Sequence, residues 1–294
     1  MNTITAECVW KDDSIVGESP IWCPTLGMLY WVDIRRNRVQ RFDPRTGHNT
    51  FVAIDDIVTS VNLRRGGGLV LTLRKAFAFM DWNTGTVTRA DNPESDKPDN
   101  RFNDAKCDRA GRLWAGTMGD QEWMAPTGSL YRFEGAGQVA RKREQVICSN
   151  GTGWSPDNRT MYHTESFRYG VFAYDFDVAS GEISNRRPFV TLDPKGGEFP
   201  DGLTVDAQGF VWSAHVGGGR IVRYDPSGKP EREVRFAASR GTSCAFGGPN
   251  LTTLYISSAR ETLKPDDLLR EPLAGSLFAC EPGVAGLAET PFAH

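Results

Sequence analysis

Six polar side chains stand at matching places along the chain: Glu18, Ser60, Asn103, Asn150, Asp201 and Ser243. Each lies about 10 to 12 residues upstream of an apolar strand signal, marked by Tyr30, Val70, Trp114, Tyr162, Trp212 and Tyr255 respectively. If the repeats surround an axis, two carboxylates, two carboxamides and two hydroxyls converge on it. Carboxylates bring charge and amide carbonyls bring neutral donors, a set suited to a divalent cation with positions left for water or substrate. Glu18, Asn150 and Asp201 form the best trio. The same groups could instead cap strand ends and hydrogen-bond channel water, and the residues alone leave both readings open. Gly151 and Gly202, directly after Asn150 and Asp201, either allow close backbone approach or mark ordinary hairpin turns.

The elements that must position these groups form a repeat. Short strand-like segments such as Met28–Val32, Leu69–Leu73, Thr160–Thr164 and Phe210–Ala214 are each followed by a second one, such as Arg38–Phe42 or Arg220–Tyr224. The spacing of roughly 40 to 50 residues is that of a four-stranded propeller blade. Turn pairs such as Thr46-Gly47, Thr84-Gly85 and Ser227-Gly228 suit tight hairpins. The expected fold is all-β: a six-bladed β-propeller of four-stranded antiparallel blades around a central channel, a single domain over residues 1–294. The polar residues open segments that would be the innermost strands. Thr5–Trp10 is strand-like yet belongs to no complete repeat, so it should pair with the last blade and close the ring.

A formal charge of −3 with scattered Lys and Arg offers no basic surface for nucleic acid. No run approaches the ~20 apolar residues of a membrane span, and the start carries no secretory pattern. A cytoplasmic protein without membrane or nucleic-acid partners is expected, as a monomer or weak homodimer. The 6 cysteines are far apart with no Cys-x-x-Cys pair, and read as small buried hydrophobes. Serine-hydrolase, zincin and Walker motifs are missing. Gly135–Ala140 fits a Gly-x-Gly-x-x-Ala pattern but joins two antiparallel strand signals, so it reads as a hairpin turn. His163 and His215 read as hydrogen-bonded interior or pocket-wall residues, and His215, near Gly217-Gly218-Gly219, is the better candidate for substrate contact.

Several segments together resemble the family of gluconolactonases, senescence marker protein 30 (regucalcin) and luciferin-regenerating enzymes. They are Gly17-Glu18-Ser19-Pro20-Ile21-Trp22, Arg101-Phe102-Asn103-Asp104, Gly116-Thr117-Met118, Ser149-Asn150-Gly151 and Phe199-Pro200-Asp201-Gly202-Leu203. The resemblance covers essentially the whole chain. It implies a six-bladed propeller with one divalent ion (calcium, zinc, manganese, magnesium or ferrous iron) held by Glu18, Asn150 and Asp201.

Similarity to the bacterial members implies hydrolysis of a sugar lactone of the glucono-, xylono-, arabino- or galactono- type. Asp201 would then act as catalytic general base as well as ligand, and Arg101 and Asn103 would contact substrate. Where mammalian members carry a substrate-binding Glu, this chain has Gln121, flanked by Asp120 and Glu122; Gln121 and Glu122 are the substrate-contact candidates in that loop, and Trp123 could pack on a sugar face. A calcium-binding regulatory protein without turnover, an ester or organophosphate hydrolase and a noncatalytic scaffold are the competing functions.

Overall fold

Alternating apolar and polar positions pair successive segments into antiparallel ladders. In the computed structural model, which describes residues 2–294, these ladders form six blades around a channel. Blade one contains Gly17–Cys23, Met28–Asp33, Arg38–Asp43 and His48–Ala53; blade two contains Val58–Leu63, Leu69–Leu73, Phe77–Met80 and Val87–Arg89. Blades three and four begin with Asn100–Cys107 and Ser149–Trp154 and likewise run outward in chain order. Blades five and six begin with Phe199–Val205 and Gly241–Gly247. Each of these six opening strands packs against the next around a closed ring, the sixth returning to the first.

The N-terminal segment serves two blades. Glu7–Trp10 lies antiparallel to Leu277–Cys280 as the outermost strand of blade six. Asn2–Thr5 runs parallel to Pro230–Arg235 and adds a fifth strand to blade five.

Aromatic residues stitch the blade boundaries. Trp22 of blade one stacks on Tyr255 of blade six with ring centres 5.9 Å apart, and Phe77 of blade two on Phe133 of blade three at 4.2 Å. Trp114 meets Trp154 edge-on between blades three and four, as Trp212 meets Phe246 between five and six. Such pairs add to the burial energy of large side chains.

One turn is built twice. Asp108 Oδ1 accepts from the backbone of Ala110 and Arg112, while its Oδ2 accepts from Trp114 Nε1 at 2.9 Å. Asp206 does the same for Gln208, Phe210 and Trp212 Nε1. Both turns need a left-handed residue, supplied by Gly111 (φ 83°) and Gly209 (φ 84°). A buried carboxylate thus fixes the turn at one face and orients the tryptophan that packs the blade.

The C-terminal tail crosses that same face. Gly286 bridges Asp206 of blade five and its N–H reaches Leu251 O of blade six; Ala293 N–H reaches Gly111 O of blade three, and Phe292 bridges Arg64 of blade two. Lys106 of the third innermost strand pairs with Glu289 at 2.8 Å. Pro265–Arg270 is a single helical turn and a half, and no helix among the described residues is long and apolar enough to cross a membrane.

Removing residues 1–11 takes the outer strand from blade six and the extra strand from blade five. The truncated chain should melt at a lower temperature in one cooperative transition; unchanged melting would show that the ring does not depend on this segment. Acid should also destabilise the fold through His163. Its ring is buried, with Nε2 2.8 Å from Ser149 Oγ, and burial pulls its pKa down to about 4. The unfolded chain therefore takes up this proton near the ordinary value of 6.5 while the folded chain refuses it, so stability is lost as pH falls from about 6.5 toward 4. The loss between about pH 7 and pH 5 should be about 2 kcal/mol, measured by urea denaturation, and His163→Gln should flatten that slope.

Candidate metal centre and active site

All six innermost strands carry one residue more than their partners, at the end that opens on the site. In blades one, three, four and five, two residues face one: Ser19-Pro20, Asn103-Asp104, Asn150-Gly151 and Asp201-Gly202. In blades two and six a single residue, Thr59 or Thr242, stands unpaired. Such bulges kink the strand and re-aim its side chains. Asn103, Asn150 and Asp201 open their bulges, whereas Glu18 stands one place ahead of its own, where Ser19 holds a left-handed φ of 53°.

These four side chains line one pocket of about 120 Å³ at the channel mouth, together with Arg101, Met118, Trp123, Cys148, Arg240 and Thr242. Ser60 and Ser243 do not. In both blades the bulged threonine, one residue earlier, occupies the register that the sequence spacing assigned to the serine, and Ser243 lines a smaller cavity deeper in the channel.

The donors needed for a cation are in place. Asn150 Nδ2 donates to Ser166 Oγ at 2.9 Å, which fixes the amide and leaves its Oδ1 buried without a partner. Asp201 Oδ1 is likewise buried and unpartnered. Glu18 accepts only from its neighbour, Ser19 N–H at 2.8 Å, among the bonds formed by the described residues. Burial first, and then the charge of Asp201 and Asp104, raises the Glu18 pKa well above the ordinary range; burial and Asp104 do the same for Asp201. Two carboxylates and an amide oxygen, desolvated and short of donors, fit a hard divalent cation, which would supply the missing positive charge. Among the described residues no three His, Cys, Asp or Glu side chains gather as a ligand set, so a three-donor site here depends on the Asn150 amide.

Arg101 and Asn103 form a braced pair on the blade-three side. Arg101 Nη1 donates to Asn103 Oδ1 and to Phe102 O, both at 2.8 Å, and Asn103 Nδ2 donates to Ser149 O at 2.8 Å. Asp120 Oδ1 lies 3.2 Å from Arg101 Nε, although that N–H is not aimed at it and makes no hydrogen bond. Cys148 is no nucleophile: burial, followed by the charge of Asp201, pushes its thiol up to about 12, so it stays protonated at neutral pH.

A model of the SMP-30/gluconolactonase/LRE-like region matches residues 16–260. The chain belongs to this family. Human regucalcin is 38% identical over 299 residues, covering 100% of both chains, and Xenopus laevis regucalcin is equally similar. Among solved structures, a regucalcin from Agrobacterium tumefaciens described as a calcium-binding protein aligns with TM-score 0.94 and 25% identity over 100% of both chains. A luciferin-regenerating enzyme aligns with TM-score 0.90 and 31% identity, covering 98% of this chain and 99% of the other. This is a protein of lactonase/regucalcin type.

Within this SMP-30/gluconolactonase-like chain, Glu18, Arg101, Asn103, Asn150 and Asp201 come together, and three other candidates do not join them. Gln121 and Glu122 are exposed at the turn of the 119–126 loop and do not line the pocket; Trp123, anchored by Nε1 to Asp120 O at 3.1 Å, is the loop residue that does. His215 is buried behind the wall of blade five, its Nε2 3.1 Å from Tyr224 Oη and its Nδ1 3.5 Å from Glu198. The close His215 ring and the hydrogen-bonded Arg220 guanidinium hold Glu198 down to about 2, so these groups serve each other.

Sequence spacing missed Asp104, which faces the deeper cavity and whose pKa burial raises to about 6. It also missed Asp120 as the partner of Arg101, and Arg35, Arg240 and Glu261 from blades one and six. Asp104 was legible only if the bulge was known to turn two consecutive residues inward.

Gly151 and Gly202 lie within strands and neither has a left-handed φ, so hairpin chemistry does not require them. Close approach does. A Cβ on Gly151 would sit 2.3 Å from Leu203 N and 2.8 Å from Asp201 O, backbone that has no room to yield. Gly151→Ala should therefore lower stability by about 1–3 kcal/mol and weaken divalent-cation binding, because it separates the strands that carry Asn150 and Asp201. Thermal melting and titration calorimetry with calcium and zinc check both; unchanged values in each would refute the close-packing account.

Proposed function

We propose that the protein is a sugar lactonase, hydrolysing an aldonolactone to its aldonic acid with the help of one divalent cation held by Glu18, Asn150 and Asp201. The observation that carries this reading is the pair of buried, unpartnered oxygens on Asn150 and Asp201 beside Glu18, in a pocket that also presents Arg101 and Asn103. The bound cation would act as a Lewis acid toward the lactone carbonyl.

The chain's own residues do the rest. The lactone ring hydroxyls accept from the Arg101 guanidinium and exchange hydrogen bonds with the Asn103 amide, which Ser149 O and Arg101 already hold in one orientation. Trp123 offers an apolar face to the sugar and narrows the mouth. Asp201 accepts a proton from the attacking water as its oxygen bonds to the carbonyl carbon. Collapse of the tetrahedral intermediate breaks the ring C–O bond, and that proton passes to the departing ring oxygen, which becomes the new hydroxyl of the acid. Glu18, which bonds only to its own neighbour, contributes charge rather than proton transfer.

A pH-indicator assay of a lactone panel, run on chelated protein with calcium, zinc, manganese, magnesium or ferrous iron restored one at a time, tests the reading. Saturable hydrolysis should appear only with a metal present. Asp201→Asn and Glu18→Gln, which keep size but remove charge, should each lower turnover by at least about a hundredfold with the melting transition intact. Calcium uptake without hydrolysis of any lactone would leave a binding protein, and near-normal activity in both variants would place the chemistry elsewhere.

A further inference from the structure

Three guanidinium groups line the pocket, and two have carboxylate partners. Arg35 Nε is 2.7 Å from Glu261 Oε1, and Arg101 lies against Asp120. Arg240 is different. It stands directly before the innermost strand of blade six, half-buried, and its Nε, like that of Arg101, is shielded from solvent and lacks a hydrogen-bond partner. Among the described residues it belongs to no ion pair.

The charges of the pocket do not supply a partner. Its lining carboxylates are Glu18, Asp201 and Glu261. Glu261 is matched by Arg35, and Glu18 and Asp201 face the position of a divalent cation. The Arg240 charge is left over, in a concave site where an unpaired buried donor is costly. Position adds to this. In the closed order of six blades, blade six stands across the channel from blade three, which carries Arg101 and Asn103. A sugar held by its hydroxyls at blade three extends its far end toward Arg240.

Resting on the lactonase reading, we infer that the preferred substrate carries an anionic group at the end remote from the reacting carbonyl, and that Arg240 receives it. The geometry points to a carboxylate, as in the lactone of an aldaric acid. A planar guanidinium matches a carboxylate with two parallel hydrogen bonds. A terminal carboxylate also occupies nearly the space of the hydroxymethyl group it replaces, whereas a phosphate adds bulk to a pocket of about 120 Å³.

The test compares glucono-γ-lactone, glucaro-γ-lactone and gluconolactone phosphorylated on its terminal hydroxyl, using metal-loaded protein. Wild type should favour the glucaro compound over the neutral one by roughly tenfold or more in kcat/KM, mainly through KM. Arg240→Gln should cut that ratio at least about tenfold, and Arg240→Lys, which keeps the charge without the fork, should retain part of it. Calorimetry with the products on chelated protein gives a readout independent of turnover: glucarate should bind tighter than gluconate, and Arg240→Gln should erase the margin. A wild-type preference for the neutral lactone, or a margin that survives Arg240→Gln, overturns the inference, and preference for the phosphorylated compound overturns the carboxylate assignment. If no lactone is hydrolysed but glucarate keeps its Arg240-dependent margin, the lactonase reading has failed while the anion site stands.

Discussion

Two carboxylates, Glu18 and Asp201, are held out of water in one small cavity, and the rest of the molecule is arranged around that constraint. Burial alone favours their protonated forms, and the charge each feels from its acidic neighbours, with Asp104 acting on both, adds to the effect. Neither is offered a cationic side chain as a close partner. Arg101, whose charge pulls the Glu18 pKa down, spends its hydrogen bonds on Asn103 and Phe102 O and lies against Asp120. Stability alone would favour apolar residues at such positions. Keeping the carboxylates exposed to each other makes sense for a site whose compensating charge arrives with a ligand.

Holding such a site requires strands that cannot drift apart. The innermost strands approach so closely that Gly151 and Gly202 leave no space for a Cβ; one added to Gly202 would stand 2.1 Å from Ser243 Oγ. Aromatic pairs lock the blade boundaries farther out, and the Asp108–Trp114 and Asp206–Trp212 units fix the turns at the far face. The C-terminal tail then ties blades two, three, five and six together across that face.

The blade count and the innermost position of the polar residues were legible because strand alternation and a repeat of roughly 40 to 50 residues are strong signals. Finer register was not. A bulge inserts one residue without leaving a mark in composition, so Ser60 and Ser243 were read where Thr59 and Thr242 stand unpaired. The same insertion hid Asp104 beside Asn103. Gln121 and Glu122 misled for another reason: a loop without alternation has no sequence rule for which side chains turn inward, and Trp123 is the one that does. The tail escaped because residues 284–293 form isolated bridges rather than a strand, although Phe292 is fully buried against Phe133.

The bulges also explain how a sixfold ring yields an asymmetric site. Four blades set two inner-strand residues opposite one, and these are the four that contribute Glu18, Asn103, Asn150 and Asp201. Blades two and six carry the other bulge type, with a threonine whose hydroxyl bonds to nearby strands: Thr59 to Thr72, and Thr242 to Gly17 O and Ser257. Those hydroxyls are occupied in holding the ring. Within one repeated device, the local register therefore separates positions that lend oxygens to a ligand from positions that spend them on the fold. With the Thr242 hydroxyl committed in this way, the charged groups that blade six brings to the pocket come from outside its innermost strand, Arg240 just before it and Glu261 after the next strand.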